Sequence, residues 1–209
     1  MAKQTFNEAE MYLLNNWTAA CRLEEALNTI RHERYAAIVE ETGRMIVDKL
    51  GKADFEYQVF PTQNWGNGFI SFWMKRWDGG IADKQVPSFV VGGLKLELLL
   101  TDDDASDDMP SACLYTKDLR KDGWDLEKLT HKIHSAAADI LADFPARGGE
   151  EDTAPICYYL PEGRTGLKRL LFEDEAAFIK TLVEHGIRIA ELAPAVTKVL
   201  SENSKKDVM

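Results

Sequence analysis

Residues 6–50 contain no proline and a single glycine, Gly43, and no other stretch constrains the fold as strongly. Leu13, Trp17, Ala20, Leu23, Leu27, Ile30, Ile38, Met45 and Ile46 recur at close to helical spacing, the pattern of an amphipathic helix. Asn15 and Asn16 are poor helix formers and Thr18 suits an N-cap. The spacing therefore predicts a short helix to about Asn16 and a long one from Thr18 to Leu50, closed by Gly51. At 1.5 Å per residue the long helix would run roughly 50 Å. That exceeds the width of a small domain, so part of it must project, bend or pack on another chain.

Beyond Gly51 the period changes. Phe55, Tyr57 and Val59 alternate with Glu56 and Gln58, as in a half-buried strand. Pro61 ends that strand, a turn-rich Asn64–Gly68 follows, and Phe69 to Trp77 reads as a dense aromatic strand. After Asp78-Gly79-Gly80 come Phe89–Val91 and then Leu94, Leu96, Leu98 and Leu100, which would share one face of a strand. Ala112–Tyr115 and Ile156–Leu160 complete the strand candidates. The short connections favour an antiparallel meander, because parallel strands need long crossovers. Asp125 caps a helix over Leu126–Phe144, Gly148-Gly149 follow it, Glu173–His185 forms another helix stopped by Gly186, and Ile187–Ser201 a last one kinked at Pro194. The fold implied is α+β: an antiparallel sheet of about five strands with a long N-terminal helical arm (1–50) and C-terminal helices within an α+β domain (51–209).

A chain of 209 residues that is 45% hydrophobic can bury a core without a disulfide or metal. No apolar run approaches the ~20 residues that span a bilayer. The first eight residues lack the apolar stretch of a signal peptide. Cys21, Cys113 and Cys157 are odd in number and widely spaced, which reads as reduced, buried thiols in a cytoplasmic protein. The net charge of −10 disfavours duplex DNA as a partner. Half of that excess falls in residues 94–125, which carry four basic and nine acidic residues, so the acidity is a local feature of one hairpin.

Asp102, Asp104, Ser106 and Asp108 alternate as in a calcium loop, but Asp107 and Cys113 stand where an EF-hand needs Gly and Glu. The loop reads as a solvated guard for a sheet edge, with weak cation binding or docking of a basic partner as rival uses. Glu127, His131 and His134 share one side of a helix and could supply three metal ligands, although a surface with two histidines is usually only a surface. Gly-x-Ser-x-Gly, a Walker A sequence and GxGxxG are absent, and no motif calls for a cofactor. Gly163–Arg169 is basic and flanked by glycine, and reads as a polar turn before a helix more readily than as a phosphate cradle. Asp54, Glu56 and Glu97 are the acids that a two-metal nuclease could use, with Gln58 where its lysine would stand.

Trp65, Trp73, Lys75, Arg76 and Trp77 place aromatics beside cations. Such a group can fill a sheet core, make a protein-binding hot spot or stack single-stranded bases. No catalytic constellation stands out, whereas the arm is too long for its own domain to bury. The reading is a non-enzymatic cytosolic binding or regulatory protein acting through protein–protein contacts, with Trp65, Trp73, Lys75, Arg76 and Trp77 as interaction candidates and a homodimer formed through the N-terminal helix. The alternative is a metal-dependent nuclease or phosphoesterase built on Asp54, Glu56 and Glu97.

Overall fold

The computed structural model describes residues 7–60, 68–78, 87–100, 109–116, 119, 125–144, 154 and 156–202. Trp65, the Asp102–Asp108 loop and the turns expected at 79–80 and 148–149 lie outside the described residues.

The helical N-terminal run is present. Helix α1 (Glu8–Asn15) ends at Asn16, and α2 (Trp17–Thr29), a π-helical turn (Ile30–Tyr35) and α3 (Ala36–Leu50) follow one another without interruption. Gly51 stops the run with φ of +106°, a conformation that side chains with a Cβ rarely adopt. Helix α3 buries Ile38, Val39, Ile46 and Val47 against the domain. Burial along the run therefore begins at Tyr35, the last residue of the π turn.

Five strands, β1 (Phe55–Phe60), β2 (Phe69–Met74), β3 (Ser88–Gly92), β4 (Ser111–Tyr115) and β5 (Ile156–Tyr159), form one sheet in the order β1-β2-β3-β4-β5. Every pairing is antiparallel, as the short connections require. Tyr57 lies opposite Phe72, Phe72 opposite Phe89, Phe89 opposite Leu114 and Leu114 opposite Ile156. That row runs across the whole sheet on its inner face, where α3 and α8 (Glu175–Ala190) cover it. Period-2 alternation sends Phe60, Phe69, Trp73, Val90 and Tyr115 to the other face, where they stay half-buried. The remaining helices are α4 (Leu96–Leu100), α5 (Leu126–Ala136), α6 (Ala138–Ala142), α7 (Gly163–Glu173) and α9 (Ala193–Glu202).

Three local expectations are corrected. Leu94–Leu100 is not a strand. Gly93, at φ of +73° against the Pro110 backbone, turns the chain out of the sheet, and Leu96 and Leu99 then bury one face of α4. Gly186 does not stop a helix: α8 runs through it to Ala190, because the missing side chain lets Ile46 of α3 approach. Pro194 does not kink a helix either. It sits in the first turn of α9, where its missing N–H has no helical partner to lose.

The cysteines are corrected as well. Cys113 and Cys157 face each other across β4 and β5 and form a disulfide, which leaves Cys21 as the free thiol. They stand 44 residues apart in sequence, and only the adjacency of the two strands brings them together. Among the described residues no helix is long and apolar enough to cross a membrane.

Candidate functional site

The arm starts with a capping box. Asn7 Oδ1 accepts from the Glu10 backbone N–H at 2.9 Å, and Glu10 Oε2 accepts from the Asn7 N–H at 2.7 Å. The two bonds satisfy backbone N–H groups that the first helical turn leaves without a partner. Asn16 donates from its side chain to the Tyr12 carbonyl at 2.8 Å, closes α1 and precedes α2. In α2 the residues Trp17, Ala20, Leu23, Leu27 and Ile30 fall on one side of the helix, with Thr18, Arg22, Glu25 and Thr29 opposite.

On this side Ala20 is half-buried and the large side chains are exposed. Helices α1 and α2 contain no buried residue. Met11, Tyr12, Leu13, Leu14, Trp17, Leu23, Leu27 and Ile30 are 44–69% exposed. A monomer rarely leaves a contiguous apolar surface of more than a few hundred Å² open to water.

The base of the arm, by contrast, is fixed. Tyr35 is 2% exposed and donates to the Leu94 carbonyl at 2.5 Å. Burial, aided by the charge of Glu97, holds its hydroxyl pKa above the ordinary tyrosine range. The π turn that ends at Tyr35 marks where the helix passes from the projecting part to the core.

A second polar constellation lies in the body. His185 Nε2 is 3.0 Å from Glu162 Oε2, and His185 Nδ1 is 3.2 Å from the Tyr158 hydroxyl, which also lies 3.3 Å from the His185 carbonyl. A carboxylate only accepts, so Nε2 carries a proton that points at Glu162. Burial raises the Tyr158 hydroxyl pKa, with Arg188 pulling the other way. Tyr158 is fully buried, so no substrate can meet its oxygen. The chain of bonds ties β5 to α8 and to the start of α7. Its members escape a motif search because His185 is isolated in sequence and finds its partners 23 and 27 residues away.

The residues singled out from sequence are dispersed. Trp73 lies on the outer sheet face opposite Glu56. Lys75 Nζ donates to the Lys52 carbonyl at 3.0 Å. Arg76 and Trp77 both donate to Thr197 Oγ1 on α9, at 3.1 and 3.0 Å, and the Trp77 ring lies 5.6 Å from that of Phe89. Arg76 and Trp77 thus help fasten α9 to the sheet and do not share a face with Trp73. Glu127, His131 and His134 line an open groove along α5. Arg164, in the basic Gly163–Arg169 segment, is 2% exposed in the first turn of α7. Among the described residues no three His, Cys, Asp or Glu side chains come together as a metal would require, and this applies to Asp54, Glu56 and Glu97 as to Glu127, His131 and His134. Comparison with protein-family models, with curated proteins and with solved structures gives no match.

Proposed function

We propose that this chain is a non-enzymatic binding or regulatory protein that works through protein–protein contacts and self-associates as a homodimer through its N-terminal arm. The observation that carries the reading is the arm itself: seven large apolar side chains on two helices that bury nothing, and Ile30 at the start of the π turn, all 44–69% exposed. The alternative enzyme reading rested on convergence of Asp54, Glu56 and Glu97, and these acids form no metal-holding group.

Sedimentation equilibrium at micromolar concentration tests the proposal. The expected mass is twice the 23.6 kDa of the chain. Leu23→Glu together with Leu27→Glu should return it to the monomer, since each places a charge in the middle of the stripe. A monomeric wild-type chain would sink the proposal.

A further inference from the structure

We infer that Cys113 and Cys157 are a reversible redox pair whose bridge clamps the edge strand β5, opened by a dithiol and closed again while the chain stays folded. The inference stands apart from the self-association reading. Both cysteines lie on the outer face of the sheet, because Ala112, Leu114, Ile156 and Tyr158 beside them turn inward and are 0–1% exposed. These four residues set the register. Ala112 lies opposite Tyr158 and Leu114 opposite Ile156, which puts Cys113 opposite Cys157. A slip of one residue would carry the whole buried set to the outer face. The two sulfurs are therefore held within reach of each other by the core rather than by their own bond, and they stay neighbours when it is broken.

The same placement gives access. Helices α3 and α8 pack on the inner face, whereas Cys113 on the outer one is half-buried, within reach of a small thiolate from that side. One sulfur of a dithiol attacks the bridge, forms a mixed disulfide and releases the other cysteine as a thiolate. The second sulfur of the dithiol then displaces the remaining cysteine, so the reagent leaves as its own disulfide. Two electrons have passed to the pair, and each cysteine ends as a thiol with one of the dithiol's protons. Ser111 Oγ is 3.7 Å from Cys113 Sγ, and its hydroxyl can donate to that sulfur as negative charge develops there. The bridge holds a strand of four residues at the edge of the sheet. It joins positions 44 apart in sequence, and such a cross-link removes open states of the intervening chain. Reduction leaves β5 to its ladder with β4 and to the Tyr158–His185–Glu162 tie, so it opens more often.

Thiol counting and amide exchange test the pair. The full-length chain is treated with millimolar dithiothreitol in native buffer, and its free thiols are alkylated and counted by mass. The count should rise from one, Cys21, to all three cysteines of the chain. It should return to one in oxidised dithiothreitol, with the far-UV circular dichroism unchanged throughout. The amides of Ile156–Tyr159 should exchange about tenfold faster in the reduced form, and those of α3 at an unchanged rate. Cys113→Ser combined with Cys157→Ser should show the fast exchange with or without reductant. A bridge that yields only after urea unfolds the chain is a structural staple and overturns the proposal. Three free thiols before any reductant, reduction that melts the far-UV spectrum, or β5 amides that exchange at one rate in both forms overturn it as well.

Discussion

A Cβ at position 186 would stand 2.6 Å from Ile46 Cδ1 and 2.9 Å from Cγ1. Ile46 is fully buried, so its side chain has no room to retreat. Gly186→Ala gains about 1 kcal/mol of helix propensity but overpacks a core contact, and overpacking costs about 1–3 kcal/mol. We expect a net destabilisation of about 1 kcal/mol by urea unfolding. Ile46→Val removes the Cδ1 that collides, so the double variant should lose less than the sum of the two single ones, the coupling expected of residues in contact. Strict additivity would show that α3 and α8 do not touch at this point. The same residue shows where the sequence misleads. Glycine after a run of apolar residues and His185 matches a helix stop, and the opposite meaning, close helix crossing, depends on Ile46, 140 positions earlier in the chain and invisible to local pattern. Gly51, whose role is set by its own backbone, was readable.

At the scale of elements, alternation identified β1, whereas β2, β3, β4 and β5 were legible as short aromatic or apolar runs between turns, because the second face of the sheet is half-buried as well. It failed at Leu94–Leu100, where Leu at every second position also places Leu96 and Leu99 on one helical face; the arbiter was Gly93, whose positive φ ends the strand. The edge strand β5 is held by Tyr158 through His185 to Glu162, and this tie has a pH dependence. The Tyr158 hydroxyl pKa is raised above the ordinary tyrosine value, first by burial, with Arg188 opposing and Glu191 and Glu162 adding. A folded-state pKa above the unfolded one leaves stability intact below pH 10 and removes it as pH rises beyond, because only the unfolded chain releases the proton. Each such tyrosine contributes a slope of about 1.4 kcal/mol per pH unit, and Tyr35 acts in the same direction. Tyr158→Phe should cost about 1 kcal/mol at pH 7 from the lost hydrogen bond. Above pH 10 its stability should fall less steeply than that of wild type, by about one proton's worth. Equal slopes would mean that Tyr158 ionises freely in the folded protein.

For the whole molecule, the arm and the body separate energetically at the π turn. The body keeps its sheet, α3 and α8 within one continuous core from Tyr35 to Val199, whereas α1 and α2 contribute no buried residue to it. Removing residues 1–29 should therefore change the intrinsic stability of the body by no more than about 0.5 kcal/mol, the usual effect of a change at an uninvolved surface. Association is a different matter. A dimer that forms only in the folded state gains stability with protein concentration, so the thermal midpoint of the full chain should rise between ~1 and ~100 μM. The shortened chain should melt at one temperature across that range, near the low-concentration limit of the full chain. If the shortened chain instead melted far below that limit, α2 would be supporting the body through contacts of its own, and the arm would be part of the fold rather than a projecting interface. The comparison thus asks of the intact molecule what the 50 Å helix posed at the start: whether the length that the domain cannot cover is covered by a second copy.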